Sequence, residues 1–278
     1  MNTLLFPGQG SQVVGMCAEF YNNFKSVKKI FEQADQKLGY SLSKLILEGP
    51  GDQLQLTKNT QPAILTVSYS IFRVLIDEFD FDIKYFKYFA GHSLGEYSAL
   101  LCANSLDFEN AIYLLHERGK AMQEAVPVGK GSMLAVLGAK IEDIEKIIQP
   151  FKLEEGVCEI ANDNADGQII ISGDKESVNN FQKILKDKKL KSIPLKVSAP
   201  FHCSLMKSAA DKMSEKIINT KFNTPEIEII NNVTAMSEKN PKKIKELLIN
   251  QIFSTVRWRE SIINLSNMGV SNYIEIGP

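Results

Sequence analysis

Histidine and tryptophan are scarce in this 278-residue chain, which holds three of the first and one of the second. It also lacks an excess of charge: 32 Lys and Arg face 33 Asp and Glu, a formal net charge of −1. No basic arm stands at either end, so the charge pattern gives no reason to expect nucleic acid. Its apolar runs fall far short of the roughly 20 residues needed to cross a bilayer, and no membrane association is expected. The start, MNTLLFPGQG, has no basic segment and only a short apolar run. No secretory leader is expected from it, and a cytoplasmic location is. Cys17, Cys102, Cys158 and Cys203 form no C-x-x-C pair and have no histidine cluster at zinc spacing. Reduced, mostly buried thiols are therefore expected, with no disulfide, metal or cofactor role. What remains is an ordinary globular composition, 44% hydrophobic and 23% charged, long enough for one large domain or one with a smaller insertion.

Four short β-prone segments, Thr3–Phe6, Tyr88–Ala90, Ile227–Asn231 and Tyr273–Ile276, are separated by helical patterns at 26–38, 61–78, 94–103, 107–125, 204–218 and 242–253. That rhythm predicts a parallel sheet covered by helices. The stretch 127–196 differs. It opens on the chain breakers Pro127, Gly129 and Gly131, then reads strand, helix, strand, strand, helix, strand. This βαββαβ order is a ferredoxin-like unit complete in itself. The expected organisation is a large α/β domain of residues 1–126 and 197–278, with a small domain of 127–196 inserted and the substrate cleft between them. A single continuous α/β sheet is the alternative.

Gly91-His92-Ser93-Leu94-Gly95 is a G-x-S-x-G pattern with a strand before it and a helical run after it. In that setting the serine sits on a sharp turn at a helix N-terminus, where N–H groups and the helix dipole favour developing negative charge. A glycine-bracketed turn with a capping serine is the plainer reading. A nucleophilic serine needs a base. His92 adjoins it and points away, and His116 falls on the wet face of helix 107–125. His202, in the irregular Ser198-Ala199-Pro200-Phe201-His202-Cys203, is left. Asp163, Asp166 and Asp174 precede it where a triad acid would, but all belong to the inserted unit; a backbone carbonyl is the other way to orient the ring. Arg118 is the one charge inside the apolar arc of helix 107–125 and needs an anion there. Two sources are open: a structural ion pair with another element, or a substrate carboxylate gripped by the guanidinium fork. The loop Phe6-Pro7-Gly8-Gln9-Gly10-Ser11-Gln12 lacks the lysine of a phosphate loop. It is placed instead to give one N–H to an oxyanion, with Leu94 N–H as the second donor.

FPGQGSQ at 6–12, TQPAI at 60–64, GHSLGEYSAL at 91–100, RGKAMQEAVP at 118–127, NDNADGQIIISG at 162–173, SAPFHCSLM at 198–206 and NN at 231–232 together resemble the malonyl-CoA:acyl carrier protein transacylase family over essentially the whole chain. The resemblance implies an α/β-hydrolase-like core with a ferredoxin-like insertion. It also implies transfer of malonyl from malonyl-CoA to the phosphopantetheine thiol of acyl carrier protein, serving fatty acid synthesis. By position, Ser93 resembles the acylated nucleophile and His202 the base. Gln9 and Leu94 match the oxyanion-hole residues, and Arg118 the arginine that pairs with the malonyl carboxylate. Gln251 aligns with the residue whose carbonyl orients the histidine, and Asn162 with a cleft-lining residue. Phe201 before the histidine and Leu94 after the serine resemble malonyl-selective members. The family continues past Glu275-Ile276-Gly277-Pro278 with a glycine-rich turn and a helix, so the chain is expected to be truncated. A monomer is expected.

Two further readings stay open: a serine esterase built on the same elbow, and a non-catalytic scaffold that binds acyl carriers. An acidic carrier would need a basic surface. Lys183, Lys186, Lys188, Lys189 and Lys191 form one candidate group, and Lys239, Lys242, Lys243 and Lys245 another. A solvated lysine-rich face is the commoner meaning of such groups.

Overall fold

A computed structural model of the chain describes residues 1–153 and 156–278. Strand β1 (Asn2–Phe6) leads through helices α1 (Ala18–Asn23), α2 (Lys25–Leu38), α3 (Leu42–Glu48), α4 (Gly51–Leu54) and α5 (Thr57–Glu78) to β2 (Phe86–Gly91). Helices α6 (Gly95–Cys102) and α7 (Phe108–Glu124) follow. Then come β3 (Gly131–Leu137), α8 (Ile141–Ile148), β4 (Cys158–Ala165), β5 (Gln168–Asp174), α9 (Lys175–Asp187) and β6 (Lys191–Pro194). The chain closes with α10 (Lys207–Asn219), β7 (Glu228–Ile230), β8 (Ser237–Glu238), α11 (Pro241–Gln251), α12 (Trp258–Asn267) and β9 (Asn272–Glu275). Among the described residues no helix is long and apolar enough to cross a membrane.

Two sheets result. The larger has the order β8-β7-β2-β1-β9; β1, β2, β7 and β9 run parallel and β8 pairs antiparallel on the edge. Its two faces are covered unequally. Leu4, Phe6 and Phe89 join the main core against α2, α5, α6 and α7, while Tyr88, Ala90 and Ile230 pack with Leu265 and Trp258 of α12 on the other face. Burial on both faces is why β1, β2 and β7 read as mainly apolar runs, whereas the edge strand β9 is exposed throughout. The smaller sheet has the order β4-β5-β3-β6, all antiparallel. Its outer face, through Leu134, Val136, Ile169 and Ile171, packs on Val178, Phe181 and Leu185 of α9 and Ile144 and Ile148 of α8 as a separate core. Its inner face turns Met133, Ala135 and Ile170 toward the main core. The βαββαβ order with this strand arrangement is the ferredoxin-like pattern, and one continuous sheet is excluded.

Two local departures from the sequence pattern have physical causes. Helix α5 begins at Thr57, a turn before the expected 61, and so encloses Pro62. Proline has no N–H for the carbonyl of Lys58 four residues back. That carbonyl instead meets His116 Nδ1 at 3.1 Å. His116 is thus half-buried against the Tyr40 ring, not on a wet face, because it supplies a bond the proline withholds. Helices α1, α3, α4 and α12 are not visible in the apolar periodicity; α1, α3 and α4 are short, and α1 buries no residue fully.

Candidate active site

Strand β2 ends at Gly91, and the turn into α6 is fastened to β1 by the His92 N–H, which donates to Phe6 O at 3.0 Å. A Cβ on Gly95 would run into the Phe6 and Pro7 carbonyls, so the closeness of elbow and neighbouring loop requires glycine there. Between them Ser93 has φ 54°, in the left-handed region. Such a conformation costs a non-glycine residue about 1–3 kcal/mol and persists only where the surroundings impose it. They do: Ser93 N–H donates to Asn232 Oδ1 at 2.7 Å, and Asn232 Nδ2 donates to Gly91 O at 2.8 Å. Asn232, from the Asn231-Asn232 pair after β7, therefore grips both sides of the turn.

His202 is the other residue of the site with a left-handed backbone, φ 57°. Its Nε2 lies 2.8 Å from Ser93 Oγ, and its Nδ1 lies 2.9 Å from the main-chain oxygen of Gln251. A carbonyl only accepts, so Nδ1 carries the hydrogen and Nε2 is left to accept from the serine hydroxyl. Burial, then the nearby Arg118 charge, hold this imidazole down at about 3, so it is neutral near pH 7. The three acids considered as orienting groups lie elsewhere. Asp163 pairs with Arg259 at 2.9 Å, Asp174 caps α9 through the Ser177 N–H at 2.9 Å, and Asp166 is exposed on the β4–β5 turn.

Arg118 is 1% exposed. Its Nη1 donates to Gln61 Oε1 at 2.7 Å, and its Nη2 donates to Gln251 Oε1 at 2.8 Å and to Ser93 Oγ at 3.2 Å. The guanidinium also lies 5.8 Å from the centre of the Tyr97 ring. Its Nε–H has no acceptor, and no carboxylate forms an ion pair with it among the described residues. Of the two sources of an anion, the structural ion pair is absent. The buried cation is held by neutral oxygens and an aromatic face alone, and its charge is not neutralised by direct contact with a carboxylate among the described residues.

A cavity of about 290 Å³ opens over these groups, and Gln9, Leu94, Asn162 and Phe201 line it with Ser93, Arg118 and His202. Neither Gln9 N–H nor Leu94 N–H meets an acceptor among the described residues. Gln251 stands outside the cavity, behind His202 and Arg118. The far wall is the small sheet: Met133, Ala135 and Ile170 face in, with Asn162 and Asn164 from β4. Asn164 Oδ1 accepts from His92 Nε2 at 2.8 Å across the cleft, while the Ser93 hydroxyl pairs with His202 and not with His92.

Sequence reasoning passed over Glu96, Gln61 and Asn232 as site residues. Glu96 is 2% exposed; its Oε2 accepts from Gln251 Nε2 at 2.7 Å and from Asn232 N–H at 3.1 Å. Burial pushes its carboxyl up to about 7, against the pull of those hydrogen bonds and of Arg118. The available signal was that each lies inside a quoted motif, Gln61 in TQPAI, Glu96 in GHSLGEYSAL and Asn232 in NN.

Fold and site together define a serine acyltransferase class, and the comparisons agree. The acyl transferase domain family model matches residues 3–278, and the chain belongs to that family. More narrowly, it belongs with the malonyl CoA-acyl carrier protein transacylases. It is 43% identical to the malonyl CoA-acyl carrier protein transacylase of Haemophilus influenzae, covering 99% of this chain and 88% of that one. The crystal structure of acyl-carrier-protein-S-malonyltransferase from Bartonella henselae is 41% identical with a TM-score of 0.95, over 99% of this chain and 88% of that one. A malonyl-transacylase in complex with its type II PKS acyl-carrier protein is 39% identical with a TM-score of 0.95, over 100% and 89%.

Proposed function

We propose that this chain takes malonyl from malonyl-CoA onto Ser93 and passes it to the phosphopantetheine thiol of an acyl carrier protein. The observation that carries the reading is Arg118, a buried cation with no carboxylate partner, 3.2 Å from the nucleophile's oxygen. Malonyl is the acyl group whose far end supplies the missing anion. Ser93 Oγ gives its proton to His202 Nε2 and bonds to the thioester carbon. The oxyanion forms against the N–H groups of Gln9 and Leu94. As the C–S bond breaks, His202 returns the proton to the departing coenzyme A sulfur. The carrier thiol then reverses these steps, giving its proton to His202, bonding to the acyl carbon and expelling Ser93 Oγ. The bound carboxylate offsets the Arg118 charge, one of the two main causes of the weak basicity of His202. Malonyl thereby strengthens its own base, which acetyl does not.

The small domain of residues 127–196 closes the cleft and keeps water from the acyl-enzyme, without which the enzyme would be an esterase. Lys183, Lys186, Lys189 and Lys191 share one exposed groove and are the better carrier-docking group. In the second cluster Lys243 pairs with Glu246 and Lys245 donates to Ile218 O. The protein acts as a cytoplasmic monomer in fatty acid synthesis.

Intact-mass measurement after mixing with malonyl-CoA tests this. A single malonyl adduct is expected, absent in Ser93→Ala and discharged by carrier protein faster than by water. No adduct would refute acyl transfer, and discharge to water as fast as to carrier would make the protein an esterase.

A further inference from the structure

The carboxamide of Gln251 is held between a buried carboxyl group and a guanidinium. Its Nε2 donates to Glu96 Oε2 at 2.7 Å, and its Oε1 accepts from Arg118 Nη2 at 2.8 Å. An amide so placed is polarised from both ends and transmits charge between them. The same Nε2 also reaches Ser93 O at 3.0 Å, and the main-chain oxygen of the same residue aims His202. Glu96 is a buried acid of this network whose carboxyl group meets neither the Ser93 hydroxyl nor the cavity, its partners being Gln251 Nε2 and the Asn232 N–H. Its distance from Arg118 is as telling as its presence. In direct contact a carboxylate would fill the guanidinium fork and leave no place for a substrate. One amide away, it tempers the charge and leaves the fork open.

We infer that Glu96 is a positioning residue, the resident counter-anion of Arg118, which through Gln251 sets how tightly the arginine grips the substrate carboxylate. This rests on Arg118 as the receptor of that carboxylate. A grip equal in ground and transition states lowers KM without raising kcat, and here the acyl group must also be given up to a second thiol. Glu96 moderates the grip.

Glu96→Gln removes the charge and keeps an oxygen for both the Asn232 N–H and the Gln251 amide. Steady-state kinetics at about pH 8, above the value of about 7 at which the Glu96 carboxyl gives up its proton, should show KM for malonyl-CoA falling, by about three- to tenfold. Turnover should fall as well, because uncompensated positive charge opposes protonation of His202. KM for acetyl-CoA should not move, and in an Arg118→Ala background Glu96→Gln should leave KM for malonyl-CoA unchanged. A purely structural glutamate would give the reverse, a KM that rises or stays. An unchanged or raised KM, or an equal effect with and without Arg118, overturns the inference. If Glu96→Gln does not fold, Glu96→Asp draws the charge away from Gln251 and KM must still fall; a rise overturns it. If wild-type protein forms no malonyl adduct on Ser93, the proposed function itself fails. If the adduct forms and KM does not fall, only the role of Glu96 does.

Discussion

The two walls of the cleft are built on different principles. On the large-sheet side the polar side chains of the site are tied to one another: Asn232 fixes the elbow, Gln251 joins His202 to Arg118, and Glu96 lies behind both. On the small-sheet side the wall is mainly Met133, Ala135 and Ile170, with two asparagines reaching in. In the proposed function one wall supplies charge and proton transfer from networked groups, and the other supplies shape and dryness. The large-sheet wall should therefore govern which acyl group reacts, and the small-sheet wall how well any acyl group is held.

Arg118→Ala tests that division most strongly. Malonyl transfer should fall by about 10²-fold, or about 2.7 kcal/mol in the barrier, while acetyl transfer holds or rises. Competing malonyl-CoA and acetyl-CoA assays read this directly. An equal loss for both substrates would make Arg118 a packing element and dissolve the contrast between the walls.

The next effect is on stability, and its sign follows from two opposite shifts within the same wall. His202 is depressed to about 3 from 6.5. Its contribution is present above the unfolded value and is lost as pH falls through the window down to 3. Glu96 is raised to about 7 from 4.5, so its contribution is present below 4.5 and is lost as pH rises through 7. Between 4.5 and 6.5 the two slopes oppose one another. His92, pushed down by burial, and His116, likewise lowered, act in the direction of His202. Glu96→Gln removes the opposing slope. Urea unfolding at pH 6.5 and 4.5 should show the variant losing about 1–2 kcal/mol more than wild type over that interval. Identical losses would mean that Glu96 does not hold a proton in the folded protein.

The parts of this molecule that the sequence made legible are those where one local rule suffices. The G-x-S-x-G turn between strand and helix and a charge inside the arc of α7 can each be read within about 20 residues, and the βαββαβ order within the one contiguous stretch 127–196. What escaped depends on pairings that no local pattern encodes. Glu96 looks like an ordinary first-turn acid of α6, and only the approach of Gln251, 155 positions away, makes it part of the site. His116 looked solvated because a helical wheel does not show that Pro62, on another helix, leaves a carbonyl open beside it. Elimination among three histidines left His202, whereas the carbonyl that orients its ring belongs to a main chain, has no local signature, and is named at Gln251 only through the family resemblance.

The small-sheet wall gives the mildest and most diagnostic case. In β4 alternate side chains point to opposite faces, so Asn162 and Asn164 enter the cleft while Asp163 between them turns back to Arg259 at 2.9 Å. The same strand is stitched to the large-sheet side by Asp163 N–H to Val256 O at 3.0 Å and Val256 N–H to Ala161 O at 2.8 Å. Arg259→Ala leaves Asp163 partnered only through its backbone. With the arginine side chain 27% exposed, water screens much of the loss, and about 1 kcal/mol of stability is expected to go. Loosening β4 should raise KM about two- to fivefold for malonyl-CoA and acetyl-CoA alike. The malonyl-to-acetyl preference should stay as it was, because no group that senses the carboxylate has moved. A changed preference would show that the small-sheet wall takes part in choosing the acyl group, and the two walls would no longer divide the work.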